Sequence, residues 1–272
     1  MRWTERQRTM LGAMGITVWG PPALAAPAEI APAREPAAEA GLAPAASPRA
    51  AARSTTPPVR ATAPAASLHA APVDDRERRA LEIAGLDWAA LRDRVAACRA
   101  CKLCEGRTQT VFGVGHPQAH WMIVGEAPGE HEDRQGEPFV GSAGQLLDRM
   151  LAALGLTRSE AAPGQQVYIV NTLKCRPPRN RNPEPDELAL CSVFLQRQIA
   201  LVQPRIILAM GRFAVQALLG SSDPIGRLRG QVHRYRDTPV IVTYHPAYLL
   251  RTPTDKARSW ADLCLAAAQL AH

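Results

Sequence analysis

The sequence predicts an α/β protein, a three-layer α/β/α sandwich around a central four-stranded parallel sheet. Three observations carry that prediction. Four short runs, His120–Val124, Val167–Val170, Arg205–Met210 and Val240–Tyr244, are largely apolar and continuous, the pattern of strands buried on both faces. Helical patterns at Ser142–Leu154, Pro185–Val202 and Arg212–Leu219 separate them, and Thr254–Leu270 closes the chain. The residues that follow the four runs are Gly125, Asn171, Gly211 and His245, and in a parallel sheet these ends meet along one edge, where such folds bind ligands.

Before the first strand the chain changes character several times. Residues 1–20 hold two tryptophans, Trp3 and Trp19, and a short apolar stretch broken by Gly12 and Gly15. A secretory signal competes for this stretch, but Glu5 interrupts its basic part and Pro21 and Pro22 follow closely. A short aromatic peptide on a tether is instead expected to dock a partner. Residues 21–73 are mostly Ala and Pro, with little apolar surface to bury, and are expected to form a disordered linker. The folded domain is expected over 74–272. It opens with two helical patterns in 74–95, the second capped by Asp87. No apolar run approaches the roughly 20 residues of a membrane span, so a soluble, cytoplasmic monomer is expected.

Six cysteines follow the helical opening: Cys98, Cys101, Cys104, Cys175, Cys191 and Cys264. Cys98 and Cys101 have metal-ligand spacing, and Cys175 sits in a proline-stiffened loop. With Cys191 they would pin the amino-terminal helices to the sheet's connections. Spacing leaves zinc and an iron–sulfur cluster open, and Cys101-x-x-Cys104 is a second legal pair. Cys264, on the apolar terminal helix, is expected in the core.

The most informative stretch is Val124–Leu151, where a strand ends at Gly125 and a loop rich in Gly, Pro and acids leads to a helix near Ser142. It carries Glu126, Glu130, Glu132, Asp133 and Glu137, with one aromatic, Phe139. A loop so costly to order and so poor in burial points to function. The charge balance points the same way. The chain has 32 Lys+Arg against 25 Asp+Glu, net +7; residues 91–272 hold 22 basic and 16 acidic side chains, so +6 belongs to the folded part. A basic domain favours a polyanion such as nucleic acid.

Taken together, Cys98-Arg99-Ala100-Cys101, Gly125-Glu126-Ala127-Pro128-Gly129, Pro138-Phe139-Val140-Gly141, Asn171-Thr172-Leu173-Lys174-Cys175-Arg176-Pro177-Pro178 and His245-Pro246-Ala247-Tyr248-Leu249-Leu250-Arg251 resemble the family-four uracil-DNA glycosylases. The resemblance spans about residues 88 to 270. It implies the same sandwich fold, excision of uracil flipped from DNA by hydrolysis of its N-glycosidic bond, and a [4Fe–4S] cluster on Cys98, Cys101, Cys175 and Cys191. It further implies a pocket whose parts match the chemistry. The leaving uracil anion is delocalised, so His245 would stabilise it by donating a hydrogen bond to O2. The Asn171 amide offers one donor and one acceptor, matching uracil O4 and N3–H. Phe139 would stack on the base, with Gly125 and Ala127 beside it. Glu126 would hold the attacking water, with Glu132 and Asp133 as substitutes, or Glu132 would limit space beside C5. Leu249 and Leu250 would wedge into the base stack, and Arg251 would meet a phosphate. Arg176, Arg179, Arg181, Arg227, Arg229, Arg234 and Arg236 are further expected DNA contacts.

Two alternatives stay open. Uracil-crosslinking relatives use a His in an added basic loop. Here the corresponding 225–230 loop is short, with His233 nearby. A non-catalytic zinc or iron–sulfur DNA-binding accessory of the replication machinery is the other. It draws on Met14-Gly15-Ile16-Thr17-Val18-Trp19, which resembles the peptide by which the polymerase psi subunit docks on chi, with Met14 in place of Leu.

Overall fold

The computed structural model describes residues 75–162 and 164–270, so the amino-terminal peptide and the Ala/Pro-rich linker lie outside the described residues. Two helices come first, α1 (Asp75–Ala84) and α2 (Trp88–Ala96). The Asp87 carboxylate accepts from the Ala90 amide at 2.8 Å, the N-cap that its position predicts. A four-residue helix, α3 (Leu103–Gly106), then leads into a six-stranded sheet.

The strands are β1 (Val114–Gly115), β2 (Trp121–Gly125), β3 (Val167–Asn171), β4 (Ile206–Met210), β5 (Val232–Tyr235) and β6 (Thr238–Thr243), in the order β1-β3-β2-β4-β6-β5. The four predicted strands are the four central ones, and they run parallel. The two edge strands are antiparallel and were not anticipated. β1 is only two residues long, and β5 alternates exposed and half-buried positions, so neither presents a continuous apolar run.

Both faces of the central strands are covered, which is why those strands read as unbroken apolar runs. Trp121, Ile123, Ile169, Leu208 and Ile241 face α5 (Ser142–Ala152) and α10 (Lys256–Leu270) through Leu147, Leu151 and Leu263. Met122, Val124, Val170, Ala209 and Val242 face α6 (Pro185–Val202) and α7 (Arg212–Leu219) through Leu195, Ile199 and Leu218. A third cluster joins α1 and α2 to α6 through Ile83, Leu91, Val95 and Phe194, with Cys175 and Cys191 inside it. The remaining helices are short: α4 (Glu130–Gln135), α8 (Ile225–Leu228) and α9 (Pro246–Arg251). Cys264 is exposed on α10, not in the core, because the helix turns Leu263 and Ala266 to the sheet instead. Among the described residues no helix is long and apolar enough to cross a membrane.

Candidate active site

Strand β2 lies between β3 and β4, and the connections to its two sides run over opposite faces, α5 on one and α6 on the other. The chain therefore diverges where β2 ends, leaving a crevice at the carboxyl edge. Gly125, the last residue of β2, pairs in register with Asn171, the last of β3. A Cβ at Gly125 would lie 2.4 Å from Asn171 Oδ1 and 2.6 Å from the Phe139 ring, so only glycine lets those two side chains close over the strand end. Phe139 sits at φ 56°, a strained conformation for a bulky residue, and strain of this kind is held at sites the surroundings over-determine.

These side chains line a cavity of about 200 Å³, together with Glu126, Ala127, Glu132 and His245. The amide of Asn171, a residue 2% exposed, keeps its Oδ1 buried with no hydrogen-bond partner in the protein. The Thr172 and Leu173 amides donate to the Gly125 and Glu126 carbonyls at 3.0 and 3.1 Å, stitching the Asn171 loop to the β2 loop.

His245 is the N-cap of α9, and its Nδ1 accepts from the Ala247 amide at 3.1 Å. That bond leaves the ring proton on Nε2. Burial pushes the His245 pKa down to about 4, with Arg251 adding to the effect and Glu132 opposing it. Near neutral pH the ring is thus an uncharged donor. It stacks on Phe139, with centroids 5.3 Å apart and planes at 26°.

The acids of the loop divide by task. Glu132 Oε1 accepts from the Val140 and Gly141 amides at 3.0 and 3.2 Å, and Oε2 from the Gly129 amide at 3.0 Å. Its carboxylate is therefore spent on shaping the loop, although the residue lines the cavity. Asp133 is buried with both oxygens 3.0 Å from the Thr108 amide and does not reach the cavity, so it is no substitute for Glu126. Glu130 pairs with Arg176 at 3.3 Å. Glu126 is the acid left facing the crevice. Burial raises its pKa, and the Arg212 charge pulls it back. Glu126 and His245 also line an adjoining groove of about 780 Å³ that holds Arg212, Tyr244, Tyr248 and Arg251.

The structure separates the two leucines of the terminal motif. Leu249 is 0% exposed, held in the core under α9, and is not available as a wedge; Leu250 is 43% exposed and is. The basic residues divide too. Arg181 is bidentate on Glu187, at 2.6 and 2.9 Å, and Arg229 binds Asp262, a residue with 0% exposure, at 2.8 and 3.1 Å. With Arg176 on Glu130, three of the eight arginines expected to contact DNA carry internal ion pairs. Arg179, Arg227, Arg234 and Arg236 are exposed. His233 lies on the edge strand β5, its Nε2 2.6 Å from the Leu228 carbonyl, and lines neither the cavity nor the adjoining groove.

A second cavity lies behind the Asn171 loop. Cys98, Cys101, Cys175 and Cys191 line it, as does Cys104, so all five thiols surround one space. Among the described residues no three Cys, His, Asp or Glu converge on a single-ion site. Arg107 Nη1 donates to Cys175 Sγ at 2.9 Å and its Nη2 to the Cys98 carbonyl at 2.8 Å; Arg79 approaches Cys98 Sγ at 3.7 Å. Burial pushes the thiols of Cys101 and Cys175 up, and that of Cys191 up to about 12. Lys174 is fully enclosed and lines this cysteine cavity, with its Nζ 2.7 Å from the Asn171 carbonyl. Burial pushes its pKa down to about 7, an effect that negative charge on Cys191 or Cys175 would oppose. Sequence reasoning missed Arg107, Arg212 and Lys174 as members of these sites. Lys174 lay inside a recognised motif, but its burial left no trace in the sequence.

A parallel sheet carrying a neutral histidine donor, an amide and an aromatic ring at its carboxyl edge defines an α/β/α protein with a ligand crevice of hydrogen-bonding and stacking groups. The chain belongs to the uracil DNA glycosylase superfamily, whose family profile matches residues 112–268. It is similar to the type-4 uracil-DNA glycosylase of Sulfurisphaera tokodaii, 44% identical over 172 residues, 60% of this chain and 76% of that one. The type-4 enzyme of Archaeoglobus fulgidus is 44% identical over 58% of this chain and 81% of its own. That of Thermotoga maritima is 42% identical over 61% and 84% respectively.

Proposed function

We infer that this protein is a type-4 uracil-DNA glycosylase of base excision repair. It takes a flipped uracil into the cavity and hydrolyses its N-glycosidic bond, leaving an abasic site. The observation that carries the assignment is the orphaned Oδ1 of Asn171. A buried acceptor without a partner costs about 1–3 kcal/mol, and a ligand N–H aimed into the cavity offsets that cost. Uracil N3–H is such a donor, and its O4 accepts from the other half of the same amide; cytosine offers the reverse pattern.

The chemistry follows from the neutral histidine. As the C1′–N1 bond stretches, negative charge grows on uracil O2 and the sugar becomes cationic. His245 Nε2–H donates to O2 in a water-poor site, where a fixed donor is worth far more than in bulk water. Its low pKa leaves no imidazolium to give a full proton, and the delocalised uracil anion can leave with a hydrogen bond alone. Glu126, in its ionised form, faces the sugar cation and holds the water that captures it. Ala127 supplies no second carboxylate, consistent with a dissociative reaction that needs little base catalysis. Phe139 supplies the apolar floor for the extruded base.

A [4Fe–4S] cluster on Cys98, Cys101, Cys175 and Cys191 belongs to the same reading. Four thiols spread around one cavity suit a cluster, which is held by four thiolates. Zinc needs its sulfurs about 2.3 Å from a single centre. When bound, the cluster would tie the segment that follows α2, and helix α6, to the Asn171 loop. The test is excision from a uracil-containing oligonucleotide read by alkaline strand scission, with the visible absorbance of the purified protein. Scission with a brown protein supports both assignments; no scission by a folded, loaded protein overturns the first, and a colourless zinc protein overturns the second.

A further inference from the structure

Lys174 is the one buried cation among the described residues, and neither catalysis nor the cysteine ligands account for it. It lines the cysteine cavity and bonds to the backbone of Asn171, whose side chain lines the other cavity. At one end the ammonium donates to the carbonyl of Asn171, closing a three-residue loop at the end of β3. At the other end it lies in the lining of the cysteine cavity together with Cys175 and Cys191. Among the described residues no carboxylate bonds to it. A fully buried ammonium is costly unless it is paired and hydrogen-bonded. The backbone geometry makes the link specific. Asn171 is fixed on one side by β2, through its pairing with Gly125, and the loop beyond it hangs from the Gly125 and Glu126 carbonyls. Lys174 adds the only side-chain bond to the Asn171 carbonyl found among the described residues.

We propose that Lys174 is a positioning residue that couples the cysteine centre to uracil reading. It draws its countercharge from the metal-bound thiolates and holds the Asn171 backbone so that the amide meets the base edge. This rests on the glycosylase and cluster assignments above. It has two consequences. Loss of the ammonium releases Asn171 without disturbing general DNA contacts, and it removes a positive charge from beside the cluster.

The test compares the loaded wild-type protein with Lys174→Met and Lys174→Gln, alone and in an Asn171→Ala background. Binding is measured to a duplex bearing 2′-fluoro-2′-deoxyuridine, whose fluorine destabilises the sugar cation and blocks cleavage, and to the same duplex bearing thymidine. Lys174→Met is expected to bind the uracil duplex about tenfold more weakly, with thymidine-duplex binding unchanged. In the Asn171→Ala background the same substitution is expected to add no further loss, a coupling that a merely structural role would not produce. Lys174→Gln keeps a neutral donor and is expected to lose less; it also carries the test if the Met variant does not fold. The cluster's midpoint potential is expected to move negative in both variants. Equal losses in both backgrounds, losses on both duplexes, or unchanged uracil binding overturn the positioning role. An unchanged potential overturns the link to the cysteine centre. A wild-type protein that does not prefer the uracil duplex would instead refute the functional assignment itself.

Discussion

Substituting Asn171→Asp tests the base-reading amide with almost no change in shape. The residue is 2% exposed and its Oδ1 has no partner in the protein, so no neighbour compensates for the exchange. The acceptor for uracil N3–H survives. The donor for O4 is replaced by a second acceptor. One neutral hydrogen bond is lost, worth about 1 kcal/mol, and O4 is left buried against an oxygen, worth about 1–3 kcal/mol more. The sum, about 2–4 kcal/mol, corresponds to a fall in kcat/KM of roughly 30- to 1,000-fold. The assay is single-turnover excision from a uracil-containing oligonucleotide above neutral pH, where the new carboxyl is ionised. Thermal unfolding and binding to uracil-free DNA serve as controls. Excision within about threefold of wild type by a folded variant would refute the assignment of Asn171 as the reader.

Gly125→Ala should abolish most excision while leaving the cysteine cavity intact, because the new Cβ would sit 2.4 Å from Asn171 Oδ1 and 2.6 Å from Phe139; wild-type kinetics would show that the pocket relaxes freely. Burial raises the Glu126 pKa, so its ionised form is lost on acidification earlier than for an ordinary carboxylate, and kcat/KM should fall with pH from that point. His245, already neutral down to about pH 4, adds nothing to that limb, and Glu126→Gln should remove it; an unchanged acid limb in the variant would exclude Glu126. Asp262→Ala leaves Arg229, Thr243 and the Gly230 amide without their shared partner. Breaking such a buried pair costs about 3–5 kcal/mol, or roughly 6–20 °C in Tm for a domain of this size, measured by calorimetry; a shift under about 3 °C would mean that water replaces the carboxylate. DNA affinity should fall steeply with salt if Arg179, Arg227, Arg234 and Arg236 meet phosphates, and a flat response would count against a basic DNA face.

Much of this protein was legible without coordinates, for a definite reason. A strand buried on both faces must be continuously apolar, so β2, β3, β4 and β6 announced themselves, and the residues ending them named the crevice. Gly125, Asn171 and His245 follow from that one regularity. The edge strands β1 and β5 did not, since one-sided or minimal pairing leaves no such run.

What only tertiary structure decided is how each polar group is used. Glu126, Glu132 and Asp133 look alike in sequence. Glu132 and Asp133 are consumed by backbone amides from Gly129, Val140, Gly141 and Thr108, and of the three only Glu126 lines the crevice with its carboxylate not taken by backbone amides. Leu249 and Leu250 are adjacent and identical, but the turn of α9 buries one and exposes the other. Lys174 reads as one more surface lysine until its Nζ is found on the Asn171 carbonyl and its side chain in the lining of the cysteine cavity. Hydrophobic pattern is written along the chain because it is set by local periodicity. Hydrogen-bond partners and countercharges come from residues distant in sequence, and no local pattern encodes them.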